Sequence, residues 1–206
     1  MGTITVAGEG RIAARPDVAV TTLGVEVYAA TLREALAEAG GTMERVGQAL
    51  RGAGIQDADM RTIRYSVQVE RPYDQKTGRP SDASSYRVVN LVEARVRDMV
   101  RVGAILDVAI AAGANTVISV AFTVADAGSL ESQARTAAMA DARGRAEQLA
   151  RLVGAELGPV VQISEGMVAP VPRFEARGLV PLTDSMPIEG GELDITARIQ
   201  ATYETA

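Results

Sequence analysis

The stretch that decides the fold is residues 126–154, DAGSLESQARTAAMADARGRAEQLARLVG. It has a small apolar residue at every fourth position: Leu130, Ala134, Ala138, Ala142, Ala146 and Ala150. Residues four apart share a helix face, and alanine lets a helix backbone approach its neighbour closely. The pattern predicts one long helix that packs tightly on a sheet. Asp126 or Ser129 is placed to cap its start, and Gly154 to end it.

The opposite face of this helix carries acids and bases four residues apart. We expect three ion pairs: Glu131 with Arg135, Asp141 with Arg145, and Glu147 with Arg151. In each pair the acid is nearer the N-terminus, which is the favourable order, worth about 0.2–0.5 kcal/mol per pair. These charges indicate a solvated outer face, with a partner-binding helix as the alternative.

Around this helix the chain alternates in the manner of β-strands. Strands are predicted around Ile4, Leu23, Ile63, Tyr86, Ile118, Val161 and Ile195. The first two are predicted to form a hairpin across Pro16-Asp17. Gly8 and Gly10 in the first strand suit a bulge or a close backbone contact.

Two further helices have clear end signals. Thr31-Leu32-Arg33-Glu34 is a capping box, and the helix that follows it ends near Gly52 or Gly54. Asp98 caps a second helix, which Gly113 closes.

The order of elements over 17–125 is strand–helix–strand–strand–helix–strand, that of a split βαβ unit. We therefore predict an α+β protein with a mainly antiparallel sheet. Its split βαβ-like core is packed by two medium helices and one long Ala-rich helix. The whole of 1–206 is predicted to be a single domain, in which 126–206 adds the long helix, a proline loop and a terminal strand.

Composition excludes several classes of function. The chain has 206 residues and a net charge of −5, without a basic tract, which argues against a nucleic-acid binder. It contains no Cys and no His, so thiol nucleophiles, imidazole bases and most zinc sites are excluded. Asp57 and Asp59 could bind a hard cation, but no calcium-binding loop follows them, and a solvated turn is the preferred interpretation. We identify no catalytic, cofactor-binding or metal-binding residue.

No apolar run approaches the ~20 residues of a membrane span. The strand pattern begins by Thr3, so we expect no signal peptide in this chain.

Two features predict a surface for another protein. Val89 and Leu91 make the second face of the strand near Tyr86 apolar, and such a strand is covered twice or lies at an interface. The long segment 166–191 lacks periodicity, which is uncommon inside a compact domain. It is predicted to be either an ordered loop that contacts a partner or a disordered surface loop. Its apolar residues complete the predicted oligomer or partner interface: Phe174, Leu179, Val180 and Leu182.

Several segments in this order resemble a known family. They are ITVAGEGRIAARPDVAV at 4–20, YRVVN at 86–90 and ARTAAMADARGRAEQLARLVGAELG at 134–158. From about Thr3 to Tyr203 the chain resembles the SIMPL domain of YggE-like periplasmic proteins and the periplasmic immunogenic protein. The resemblance implies an exported envelope protein with no accepted active site. It also implies links, in some members, to oxidative-stress tolerance and to large ring-like or channel-like oligomers. By resemblance the chain is periplasmic or extracytoplasmic, and the missing leader keeps the cytoplasm open.

Three functions remain open. The first is a non-enzymatic, self-assembling envelope protein: a homo-oligomer, with an envelope protein as a further partner, no nucleic acid and no cofactor. The second is a module that binds a small ligand or a protein and uses the 166–191 loop. The third is a carboxylate-dependent hydrolase, which would need two acids that converge in one pocket.

Overall fold

The computed structural model describes residues 2–71, 73–74, 79–80, 85–166, 169–173 and 191–206. The protein is α+β with antiparallel sheets, as predicted. The chain divides into two compact units: a central unit, Asp17–Phe122, and a terminal unit, Met1–Pro16 with Thr123–Ala206. The single domain over 1–206 stays a prediction.

The elements of the described residues, in chain order, are β1 (Gly2–Ala14), β2 (Val18–Ala29), α1 (Leu32–Gly52), β3 (Met60–Glu70), β4 (Tyr73–Asp74), β5 (Arg79–Pro80), β6 (Ser85–Val96), α2 (Val102–Ala111), β7 (Thr116–Thr123), α3 (Ala127–Leu152), β8 (Leu157–Glu165), β9 (Ala169–Arg173) and β10 (Glu192–Thr205). Short 3₁₀ turns at Asp57–Asp59 and Met99–Arg101 precede β3 and α2.

The central unit is built on a four-stranded sheet in the order β3-β6-β2-β7. β6 runs antiparallel to both β2 and β3, and Val88 is opposite Val27 on one side and Val67 on the other. This is the strand order of a split βαβ repeat, so the predicted core is confirmed. α1 packs on β2 and β6, and α2 packs beside α1.

The core of the central unit joins apolar side chains of the sheet to those of both helices. Its buried members include Leu23, Val92, Val96, Val46, Leu50, Val102 and Ile105, with Val25, Val27, Val88, Ala35 and Ala39 in a second cluster.

The predicted helix ends of the central unit are confirmed. The hydroxyl of Thr31 accepts from the backbone N–H of Glu34, whose carboxylate accepts in return from the N–H of Thr31. The side chain of Asp98 accepts from the N–H of Val100 and begins the 3₁₀ turn that leads into α2. Gly113 follows α2 with a φ of 114°.

The terminal unit has a sheet in the order β1-β10-β8, and β9 pairs with β10 further along the same strand. β1 and β10 are antiparallel from the pair Gly2 and Thr205 to the pair Ala14 and Leu193. The hairpin predicted for the first two strands is therefore wrong, because β1 pairs with β10 and β2 pairs with β6. Alternation shows that a segment is extended, but it does not identify the strand that it pairs with.

α3 packs on this sheet through the predicted alanine stripe. Ala134, Ala138, Ala142, Ala146 and Ala150 are all buried, and the helix contacts β1 and β10. β1 has glycine where α3 is closest: a β-carbon at Gly10 would lie 2.0 Å from the carbonyl oxygen of Ala134. The close backbone contact expected at Gly8 and Gly10 is confirmed.

The predicted ends of α3 are confirmed as well. Asp126 caps the first turn by accepting from the N–H of Ser129, and Gly154 ends the helix with a φ of 72°.

Two of the three ion pairs predicted on α3 are present. Arg135 lies 3.5 Å from Glu131, and Arg145 lies 2.8 Å from Asp141. The third prediction is wrong: Glu147 pairs with Arg143 at 2.9 Å instead of with Arg151. Both arginines lie four residues from Glu147, and a preference of a few tenths of a kcal/mol does not decide between them.

Candidate interaction surfaces

Val89 and Leu91, two of the predicted interface residues, lie on the central strand β6. Only 8% of Val89 and 2% of Leu91 is exposed. Residues directly opposite each other in an antiparallel pair share a sheet face, so Glu26 and Ser66 flank Val89, and Arg64 flanks Leu91. Their role at an interface stays a prediction. Phe174, Leu179, Val180 and Leu182 lie outside the described residues.

An exposed apolar row of the central unit lies on β3, at the edge of the sheet. Ile63, Tyr65, Val67 and Val69 are each 41–59% exposed. Val67 is opposite Val88, which packs on α1, so Val67 and its neighbours two residues away, Tyr65 and Val69, face the side of the sheet that carries the helices. Among the described residues β3 pairs only with β6, which leaves its outer edge unpaired. The sequence pattern predicted a strand around Ile63, but it did not predict that this row of the strand remains exposed.

A groove of about 340 Å³ lies between α1 and β3. Met43 and Gly47 of α1 line it from one side, and Met60 and Thr62 of β3 from the other. Asn90 also lines the groove, and its side-chain oxygen is buried without a hydrogen-bond partner among the described residues. No pattern in the sequence predicted this groove.

Two ion pairs lie on the face of the central sheet that is opposite the helices. Arg87 donates to the carboxylate of Glu26, and the hydroxyl of Tyr28 donates to the same oxygen at 2.5 Å. Arg61 donates twice to Glu93, at 2.9 and 3.0 Å.

These contacts shift the pKa values of the acids. The hydrogen bond from Arg87, followed by that from Tyr28, lowers the pKa of Glu26 below its usual value of 4.5. The hydrogen bond from Arg61 lowers the pKa of Glu93 in the same way. Both carboxylates are therefore ionised at neutral pH.

Asp57 and Asp59, the two candidate cation ligands, each form an ion pair with an arginine. Arg51 donates to Asp57 at 2.6 Å, and Arg97 donates twice to the buried Asp59, at 3.1 and 2.8 Å. Within the described ranges no group of three or more acidic side chains is placed to hold a metal ion.

Comparison with known protein families shows the family of the chain. A family model described as SIMPL, protein of unknown function (DUF541), matches residues 4–203. The chain belongs to the SIMPL family.

Curated relatives of this SIMPL chain match it over almost its whole length. It is 33% identical over 209 residues to the 26 kDa periplasmic immunogenic protein of Brucella melitensis biotype 1, covering 98% of the chain and 84% of the relative. The protein of the same name from Brucella abortus (strain S19) gives the same identity and coverage. The uncharacterized protein YggE of Escherichia coli (strain K12) is 27% identical, covering 98% of the chain and 82% of the relative. The names of the two Brucella relatives refer to a location and to immunogenicity, and none of these three names refers to a reaction.

A search of the described helices of this SIMPL chain finds none that is long and apolar enough to cross a membrane.

Proposed function

We propose that the chain is a non-enzymatic, self-assembling protein of the cell envelope, and that its copies associate through the edge strand β3. An envelope location is supported by the names of the Brucella relatives, which describe periplasmic proteins.

The exposed row on β3 is the observation that carries the proposal. An unpaired edge strand presents backbone N–H and C=O groups that can pair with a strand of another chain. Monomeric proteins usually shorten, charge or cover such an edge. β3 is 11 residues long, and Tyr65, Val67 and Val69 present apolar surface beside its free edge. Pairing of β3 with a second copy would satisfy the edge and bury this row.

The proposal of a non-enzymatic role is supported by the state of the acids. A general acid needs a carboxyl group whose pKa is raised toward the working pH. Arginine contacts instead lower the pKa of Glu26, Asp59 and Glu93. For Asp141 the main cause of a lowered pKa is the hydrogen bond from the backbone N–H of Glu9. These four acids are suited to ion pairing and not to proton donation at neutral pH.

The interface predicted from the sequence remains a second proposal. Because Val89 and Leu91 are buried, substitutions there would change stability as well as association, so β3 is the better first test. The resemblance also implies a link to oxidative-stress tolerance. We place that role in the assembly and not in redox chemistry of the chain, which has neither Cys nor His.

The test is the absolute mass in solution, measured by light scattering on a sizing column over a dilution series. We expect a stable multiple of 21.6 kDa for the native chain. The double variant Val67→Lys, Val69→Lys should shift the mass toward 21.6 kDa, because charged side chains on an edge strand oppose pairing.

The matched control is Ile118→Lys, which places a lysine on β7, the opposite edge of the same sheet. Ile118 is also exposed, so the control tests whether any added charge disperses the assembly. A native chain that is monomeric at all concentrations would contradict self-assembly. A mass that is unchanged in the double variant would contradict the assignment to β3.

A further inference from the structure

The terminal unit contains a groove of about 500 Å³ between α3 and β8, with β10 as its floor. Its apolar walls include Met139 of α3 and Leu157 and Val160 of β8. Its polar side chains are Arg143 and Glu147 of α3 and Tyr203 of β10. The volume is within the range of small-molecule sites, which are mostly apolar with a few polar groups that orient the ligand.

Tyr203 is the unusual member of this groove. Only 5% of the residue is exposed, because it packs in a cluster with Val6, Ala142, Ala146 and Ala201. Buried tyrosines usually find a hydrogen-bond partner for the hydroxyl, yet no described residue bonds to that of Tyr203. The hydroxyl is nevertheless not one of the fully buried polar atoms without a partner, so it keeps some exposure to solvent. At least part of the remaining exposure of Tyr203 therefore lies at its hydroxyl, and the groove that the residue lines is where we expect a ligand to reach it.

Arg143 supplies further donors to the same groove. Its Nε donates to Glu147 at 2.9 Å, and no described residue accepts from its two terminal nitrogens. The bond to Glu147 is the main reason that the pKa of Arg143 is raised, and Tyr203 adds a smaller contribution. The side chains of Arg143 and Tyr203 both line the groove.

The groove offers more hydrogen-bond donors than acceptors, and this excess favours a negatively charged ligand. A guanidinium has five N–H donors, of which Glu147 takes one, and a phenol can donate one more. Among the described residues that line the groove, Glu147 is the only acid, and it already accepts from Arg143. The site is therefore rich in donors, as an anionic oxygen group requires.

We propose that this groove binds a small monocarboxylate with an aliphatic or aromatic body. The carboxylate accepts hydrogen bonds from the terminal nitrogens of Arg143 and the hydroxyl of Tyr203. The body of the ligand packs against Met139, Leu157 and Val160. This site lies in the terminal unit and is independent of the assembly through β3.

The test is isothermal titration of the full chain with 4-phenylbutyrate, and with 4-phenylbutyramide as the uncharged match. We expect the acid to bind and the amide to bind at least tenfold more weakly. Tyr203→Phe removes only the hydroxyl and keeps the packing of the ring, and Arg143→Met keeps most of the aliphatic stem. Tyr203→Phe should weaken binding of the acid about tenfold, the effect of losing one hydrogen bond to a charged group, and Arg143→Met should weaken it at least as much, because it removes the positive charge and both terminal nitrogens.

Arg145→Met is the matched control, because Arg145 lies on the same helix, pairs with Asp141 and does not line the groove. It should leave the affinity unchanged. Circular dichroism of each variant should match that of the native chain, so that a change in affinity reports on the groove. The proposal is overturned if 4-phenylbutyrate does not bind at millimolar concentration, if the amide binds equally well, or if Tyr203→Phe and Arg143→Met bind like the native chain.

Discussion

Glu26 shows how single side chains hold the central sheet together. It lies on β2 and accepts from Arg87 on β6 and from Tyr28 two residues along its own strand. The guanidinium of Arg87 also lies 5.9 Å from the centre of the Tyr28 ring. One carboxylate therefore connects two neighbouring strands, and its negative charge strengthens both contacts.

This arrangement predicts a specific dependence of stability on pH. Because Arg87 and Tyr28 lower the pKa of Glu26 in the folded state, the unfolded chain takes up the proton first as the pH falls. The stabilising contribution of Glu26 is therefore present above its usual pKa of 4.5 and is lost as the pH falls through the lower value of the folded state. Glu26→Gln should lose stability at neutral pH and show a smaller further loss on acidification than the native chain.

Urea unfolding at several pH values between neutral and acidic checks this prediction. Glu38→Gln is the control, because it removes an exposed carboxylate from α1 and leaves the contacts of Glu26 in place. A Glu26→Gln variant whose acid limb has the native slope would rule out the proposed coupling.

At the scale of elements, the contact between α3 and β1 organises the terminal unit. The buried alanine stripe of the helix meets Gly8 and Gly10 of the strand, where a β-carbon would overlap atoms of the helix. Closely packed interiors respond strongly to an added methyl group when the neighbouring atoms belong to the backbone.

Gly10→Ala should therefore destabilise the terminal unit by about 1–3 kcal/mol, because the new β-carbon would overlap the carbonyl oxygen of Ala134. Gly144→Ala is the control: it adds a methyl group on α3 where no atom lies within 4 Å. It should raise helix stability by up to about 1 kcal/mol. Urea unfolding followed by far-ultraviolet circular dichroism measures both changes. Equal stability of the two variants would show that the close approach is not a constraint in solution.

At the scale of the whole molecule, the two compact units are not two successive segments of the chain. The terminal unit needs β1 from one end of the sequence and α3, β8 and β10 from the other. The pairing of Gly2 with Thr205 brings the two ends of the described chain together. We therefore expect that β1 can be moved to the other end of the sequence without changing its place in the fold.

A circular permutant provides the test of this organisation. It begins at Asp17, joins the present C-terminus to the present N-terminus by a short glycine-rich linker, and ends at Pro16. Since the linker only closes a hairpin between β10 and β1, the permutant should fold with a native circular dichroism spectrum and a stability within about 1 kcal/mol of the native chain.

Deletion of residues 1–16 is the matched control for the permutant. It removes the strand that pairs with β10 and packs under α3, so the helix signal of the terminal unit should be lost. A permutant that behaves like the deletion would show that the link from β1 to β2 through 15–17 is itself required for folding.

Local features of this fold were predictable because they depend on residues a few positions apart. The capping box at Thr31, the cap at Asp126 and the glycine that ends α3 each follow from contacts within one helical turn. The buried alanine stripe follows from a spacing of four residues. The split βαβ-like core was predictable as well, because the order of its elements along the chain leaves few topologies.

The candidate sites were much less predictable. Val89 and Leu91 were noted as apolar, but the sequence does not show that they would be buried while Val67 and Val69 stay exposed. Exposure depends on which strands the helices cover, and that is decided by packing between distant segments.

The sequence by itself determined the helices, their ends and most of the strands, because short-range periodicity and capping set them. Only the tertiary structure decided that β1 pairs with β10 and that Glu147 bonds to Arg143. Each of these outcomes is a choice between partners that are equivalent in local pattern. The choice is made by which surfaces can be buried together, and no local stretch of sequence contains that information.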